Sequence, residues 1–364
     1  MTVSLLQRDV TDLPEKRLLE LVQFHYGLTI HNVIPIADKW LLETEGSTYT
    51  LSRVIYRDTA YWELVERLLN HIQQSGLQPF TRIVRTNSKK LMFSGFHSRY
   101  MLWQHRHGSR CQWHDRVTWS SIGQTLATLH RATRDFPLQS ADHKYRAAGN
   151  WTDLWEQTVV RLDAIRAACE LSTERQRVDR LWLDLHTYTR TMVETALNYL
   201  HRSGGDESVL TLLSEGVIGQ HQLRRKSWGV DTSGRYRLMD WEQTVIDIPV
   251  RDLAQMIHLA RGSKQAFRER VSLLLAGYQA VRPLKAAEWP LLFARLLFPE
   301  PMVQTARELY EQPRVLANDD AERILQRAIT QQRQREFHLR LLPSLFQQVT
   351  SVTVPSVDWL HTFD

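Results

Sequence analysis

The chain has 364 residues, 43% hydrophobic and 24% charged, with 12 Trp and a formal net charge of +6. Such a length and composition exclude a disordered chain and point to two domains around buried cores. Cys111 and Cys169 are too few for a secreted disulfide scaffold. Charge enters residues 1–9 too early for a signal peptide, and no run approaches the roughly 18 apolar residues of a membrane span.

From the N-terminus, residues 36–43 and 47–55 read as strands joined by Thr44-Glu45-Gly46, which predicts a hairpin. Residues 60–74 carry Leu64, Leu68 and Ile72 at helical spacing, flanked by Val65 and Leu69, with Gly76 as a stop. Residues 81–86 and 90–93 predict a second hairpin about Asn87-Ser88, and residues 100–103 a further strand. Residues 105–114 gather His105, His107, Cys111 and His114, donors that could bind Zn²⁺. Arg106 and Arg110 oppose a cation there, so the segment reads as a connector between domains.

Beyond residue 115 the pattern is helical: 117–132, with Ile122, Leu126 and Leu129, then 151–170 and 175–199. Residues 208–250 break it with a polar loop containing Arg224-Arg225-Lys226, a short strand over 236–239, and Asp240-Trp241-Glu242. Helices resume at Asp252, where a carboxylate can cap free N–H groups, and run to about residue 348. The basic residues of 327–340 read as a solvated helix face. The expected domains are 1–103, mixed α/β, and 104–364, mostly helical.

The positive charge favours an acidic surface, a phosphate-rich ligand or an anionic polymer. The cations are scattered and no recognition motif accompanies them, which argues against nucleic acid. No Gly-x-Ser-x-Gly elbow supports a Ser–His–Asp hydrolase.

Three segments, in order, carry a resemblance. They are Leu126-Ala127-Thr128-Leu129-His130; Arg237-Leu238-Met239-Asp240-Trp241-Glu242 leading to Asp247-Ile248-Pro249-Val250-Arg251-Asp252-Leu253; and Phe298-Pro299-Glu300 with Tyr310. Together they resemble the spore-coat-associated, kinase-like family of endospore-forming bacteria, related to aminoglycoside and choline phosphotransferases. The resemblance implies an α+β, protein-kinase-like two-lobed fold. Its small N-terminal lobe would hold an antiparallel sheet plus one helix, and its larger C-terminal lobe would be mostly helical, with a degenerate catalytic loop over about 214–242. Asp240 matches the metal-site Asp, while Asp252 and His130 match residues that brace the catalytic loop, a structural role.

Phosphoryl transfer from ATP needs a strand Lys, an orienting Glu, a base Asp, and Asn and Asp ligands for Mg²⁺. The resemblance puts Ser52 at the strand-Lys position. Arg53 points to the opposite face by the period of two, unless a bulge turns it. Glu63 and Glu66 are candidates for the orienting Glu. The catalytic loop falls on residues 220–227, with Gln222 for the base and Ser227 for the metal Asn. A shift by one gives Leu223 and Trp228, which serve no better. A carboxamide is no base near neutral pH, and residues 216–230 contain no carboxylate. Asp240, helped by Glu242, would hold Mg²⁺ weakly. Gly46 is the only glycine between residues 36 and 52, so a glycine-rich phosphate loop is missing.

The expectation is a pseudokinase, a binding or scaffold component of the spore coat with no catalytic residue and no cofactor. The resemblance implies synthesis in the mother-cell cytoplasm, then assembly on the coat with other coat proteins or an acidic polymer. Arg224, Arg225 and Lys226 read either as a solvated loop or as anion contacts replacing the metal. His221 reads as a structural loop histidine. Two alternatives stand beside this reading. One is a divergent small-molecule phosphotransferase or nucleotidyl transferase using ATP and Mg²⁺, with Glu215 or Glu242 supplementing Asp240. The other is a phosphate- or polyanion-binding module centred on Arg224, Arg225 and Lys226.

Overall fold

The computed structural model describes residues 17–36, 39–55, 57–311, 317–355 and 357–358; the 1–9 segment lies outside them. The chain opens with helix α1 (Leu18–Tyr26), strands β1 (Asn32–Ile36), β2 (Lys39–Glu43) and β3 (Thr48–Val54), and helix α2 (Thr59–Gln74). Strands β4 (Thr81–Val84), β5 (Phe93–Ser94), β6 (Arg99–His105) and β7 (Gly108–Arg110) come next. Helices α3 (Arg116–Ala132), α4 (Trp151–Leu171), α5 (Arg177–Arg202) and α6 (Gly205–Thr211) follow. Then come β8 (Ile218–Gln220), β9 (Trp228–Asp231), β10 (Tyr236–Leu238) and β11 (Thr244–Ile246). The chain continues with α7 (Val250–Leu259), α8 (Lys264–Val281), α9 (Glu288–Leu297), α10 (Glu300–Tyr310), α11 (Asn318–Leu339) and α12 (Leu342–Thr350).

These elements form two compact units. The first takes residues up to 113 together with 135–145 and 224–244; the second takes 114–134, 146–223 and the chain from 245 onward. The 103/104 boundary read from the sequence falls inside β6, and the segment from 224 to 244 belongs to the sheet-bearing unit.

In the first unit an antiparallel sheet runs β1-β2-β3-β6-β4. Leu18, Val22 and Tyr26 of α1 recur every four residues and bury one stripe with Val33, Trp40, Leu42, Leu51, Tyr100 and Leu102. Gly27, at φ 67°, ends that helix in the left-handed region that glycine tolerates. Helix α2 starts where the sequence indicated. Asp58 caps it by accepting the Tyr61 N–H at 3.0 Å, and Leu64, Val65, Leu68, Leu69 and Ile72 are buried.

Several sequence expectations give way here. Helix α1 and strand β1 precede the predicted sheet, and the predicted 36–43 strand begins only at Lys39, since Ile36 ends β1. Strands β4 and β5 are not a hairpin. Both pair with β6, Thr81 opposite His105 and Phe93 opposite Tyr100, so they are one line of strand interrupted by an excursion. The 105–114 segment is no plain connector, because β7 pairs with β9 in a second, three-stranded sheet ordered β10-β9-β7. A Cβ on Gly108 would meet the Val230 carbonyl oxygen at 2.4 Å, which is why glycine stands at this close approach.

In the second unit helices α3 and α8 cross at paired glycines. A Cβ on Gly123 would lie 2.2 Å from the Leu274 carbonyl oxygen, and one on Gly277 2.2 Å from that of Ser120. The 327–340 stretch is not a wholly solvated face: Gln332, Arg335 and His338 are buried. Arg335 donates to the Phe298 carbonyl at 3.1 Å, and burial lowers its pKa to about 10. Among the described residues, no helix is long and apolar enough to cross a membrane.

Candidate functional site

In the first unit Ser52 is buried on β3, and every residue of β3 pairs in register with β6. No bulge interrupts that ladder, so Arg53 stays exposed on the opposite face and cannot replace the missing lysine. Ser52 Oγ donates to Glu242 Oε1 at 2.8 Å. The other oxygen, Oε2, accepts Lys39 Nζ at 2.5 Å, with Lys39 and Glu242 side chains 30% and 19% exposed. The Tyr61 hydroxyl lies 2.9 Å from both the Glu242 and the Thr244 carbonyl oxygens, fixing the backbone that presents the carboxylate.

Lys39 is the residue that the sequence reading missed. It begins β2 and is the direct cross-strand partner of Ser52. The expected orienting acids do other work: Glu66 binds Arg85 through both oxygens, at 2.7 and 2.5 Å, and Glu63 is exposed. Asp240 is half-buried, and its Oδ1 accepts the Glu242 N–H at 3.2 Å.

Arg224, Arg225 and Lys226 are exposed on a short 3-10 turn that leads into β9. Arg225 stacks over Trp113, 5.4 Å from the ring centre. Ser227 is buried, and its hydroxyl accepts the Arg224 N–H at 3.2 Å. Trp228 and Leu223 are core residues, as is Ser227. His105 bonds Thr50 at 2.6 Å, and burial holds its pKa down at about 4. Among the described residues, no three His, Cys, Asp or Glu side chains gather as a metal-ligand set.

In the second unit the residues before position 224 are held by one turn of helix α7. Asp252 Oδ1 accepts the Gln220 N–H at 2.7 Å, and Oδ2 lies 3.3 Å from His130 Nε2. Arg251 Nε donates to the Gln220 carbonyl at 3.1 Å and its NH1 to Asp247 at 2.7 Å. Gln255 donates to the Gln220 carbonyl and accepts the Leu223 N–H, both at 2.7 Å. Asp252 thus braces the strand end and does not cap its own helix. His221 is exposed, with Nδ1 3.4 Å from Arg251. Gln222 is half-buried and carries no acid function.

From His130 the polar contacts continue inward. Its Nδ1 is 2.8 Å from the Tyr278 hydroxyl, Arg282 NH1 reaches the same hydroxyl at 3.2 Å, and Arg282 NH2 pairs with fully buried Glu288 at 2.8 Å. Burial lowers the His130 pKa, against the opposing pull of the Asp252 carboxylate. The Glu215 side chain lies outside the described residues.

The resemblance to phosphotransferases implies a nucleotide and Mg²⁺, and the donors among the described residues do not fit the metal. Mg²⁺ seeks several hard oxygen ligands. Both Glu242 oxygens are engaged by Lys39 and Ser52, and Ser227 serves its own turn, so of these three candidate ligands only Asp240 remains. The residues do fit a phosphate, since an ammonium faces Ser52 across the ladder.

A family described as "Spore coat putative kinase YutH" matches residues 19–342. The endospore coat-associated protein YutH of Bacillus subtilis (strain 168) is 31% identical over 183 residues, covering 49% of this chain. The chain spans about half, 51%, of that curated relative's length. An aminoglycoside phosphotransferase from Alicyclobacillus acidocaldarius superposes with a TM-score of 0.65 at 18% identity, over 90% of this chain and 95% of that one. A spectinomycin phosphotransferase, solved with ADP and spectinomycin, gives a TM-score of 0.65 at 13% identity, over 89% and 99%. At such identities these structures establish the kinase-like fold alone.

Proposed function

Because this chain belongs to the YutH family of the spore coat, we propose that it is a catalytically inactive kinase-like protein, a binding or scaffold component of the coat. The observation that carries the reading is the Glu242 carboxylate. Lys39 and Ser52 consume both of its oxygens, which leaves Asp240 without a second acid for the metal. The lack of any carboxylate across residues 216–230 supports the same conclusion, for no acid stands there to act as the base that the resemblance implies. Proteins that organise a coat need surfaces more than turnover, and a net charge of +6 suits docking on acidic coat proteins or polymer. We place its synthesis in the mother-cell cytoplasm and its destination on the spore.

The test is mass spectrometry of the protein and of candidate small molecules after incubation with ATP and Mg²⁺, beside an Asp240→Ala control. The expected result is no phosphorylated or nucleotidylated product in either sample. A product made by the natural protein and lost in the control would establish a divergent phosphotransferase or nucleotidyl transferase instead. The exposure of Arg224, Arg225 and Lys226 on a single turn favours a polyanion contact as one part of the binding role.

A further inference from the structure

Strand β3 presents Ser52 where phosphotransferases carry their phosphate-binding lysine, yet the ammonium is not lost from this region. Lys39 on β2 is the Cα partner of Ser52. Directly opposed residues on one sheet face bring their Cβ atoms within about 5 Å, and a lysine's reach exceeds that separation. Both side chains meet on the same carboxylate, Glu242, at 2.5 and 2.8 Å. A charged nitrogen on the neighbouring strand thus serves the space that an ammonium at position 52 would serve.

The ion pair is not sealed. Lys39 keeps 30% and Glu242 19% of its side-chain surface exposed, so the two can separate without stranding a buried charge. Ser52, bonded to the other oxygen, would keep Glu242 in place when the lysine leaves. No other cation of strand β3 competes, because Arg53 is exposed on the far face.

We propose that Lys39 has taken over phosphate binding from strand β2, exchanging Glu242 for a di- or triphosphate chain held without Mg²⁺. The inference rests on the reading of this region as a phosphotransferase site that has lost its chemistry. Glu242 then acts as an internal competitor for the lysine, and its removal should improve binding.

The experiment is calorimetric titration of the full chain, in chelator, with ATP and separately with inorganic tripolyphosphate. Lys39→Ala should weaken binding at least about tenfold, as loss of a charge-assisted contact does. Glu242→Gln should tighten it severalfold. The exchange Lys39→Ser with Ser52→Lys should restore it to within about threefold of the natural protein. Urea unfolding of each variant separates lost binding from lost structure. Binding of both ligands supports recognition of the phosphate chain, and binding of ATP alone supports a nucleotide. Unchanged affinity in folded Lys39→Ala, or weaker binding in folded Glu242→Gln, overturns the proposal. So does failure of both ligands to bind the natural protein, which would leave the inactive reading untouched. Phosphoryl transfer abolished by Asp240→Ala would overturn the inactive reading and leave the assignment of Lys39 standing.

Discussion

Asp252 holds the backbone N–H of Gln220 at 2.7 Å with one carboxylate oxygen while the other faces His130, so a helix side chain fixes the end of a strand 32 residues earlier. The carboxylate is almost fully buried, at 3% exposure, and water cannot replace it. Asp252→Ala leaves the Gln220 N–H and the His130 ring without their acceptor, a loss of about 3 kcal/mol. Asp252→Asn keeps an acceptor for Gln220 and should lose less. Urea unfolding checks both; equal and small losses would mean that the brace contributes little.

Acid should destabilise the protein before its carboxylates titrate. Burial lowers the pKa of His130, of His258 and, to about 4, of His105, all from an ordinary 6.5. As pH falls through 6.5 the unfolded chain takes up protons that these folded histidines refuse. The unfolded state then binds more protons, so stability present above that pH declines on the way down. Urea midpoints at pH 7.5 and 5.5 measure the effect. The lower pH should give the lower midpoint, with a shallower dependence in His258→Gln.

The crossing of α3 and α8 admits no methyl group. Gly123→Ala or Gly277→Ala would place a Cβ 2.2 Å from a carbonyl oxygen of the opposite helix, and relief requires the helices to part. Overpacking of this kind costs about 3 kcal/mol. Thermal unfolding should show a clear drop for either variant, and a midpoint near that of the natural protein would contradict the contact.

The basic turn should matter for binding and little for stability. Arg224, Arg225 and Lys226 are exposed, so replacing all three by Ala should change stability by about 1 kcal/mol or less, including the loss of the Arg225 stack on Trp113. Retention on a polyglutamate matrix should fall, and the remaining retention should depend less steeply on salt. Unchanged retention would assign the anion contact elsewhere.

Local periodicity made helices α2 and α3 readable, since Leu64, Leu68 and Ile72, and Ile122, Leu126 and Leu129, mark one apolar face within helices of 16 and 17 residues. Helix α1 escaped because it is only nine residues long, with three buried positions against seven in α2. Strand β1 escaped because Pro35 argues against a strand, although a sheet edge tolerates it. Ser52, Gln222 and Ser227 were identified by position in a family pattern, but what each touches depends on pairing across the chain. Lys39 is the instructive case. Stepping five residues outward each way from the Thr44–Ser47 closing pair arrives at Lys39 and Ser52, so the recognised turn already contained this pairing. The Glu242 partnership, 203 residues from Lys39, carried no such local signal.

That separation has a consequence for the growing chain. Strands β2 and β3 are synthesised early, whereas the carboxylate that joins Lys39 to Ser52 follows them by 203 and 190 residues. The Glu242 contacts can therefore form only after the intervening helices α3 to α6 have been made. Contacts of such long span close slowly, because a large loop must be ordered before any of them forms. A chain ending at residue 113 would hold every strand of the first sheet but neither the residue that engages its lysine nor the strand that covers Gly108. The sheet-bearing unit thus joins segments made far apart in time, and a fragment ending at residue 113 lacks two of its three pieces.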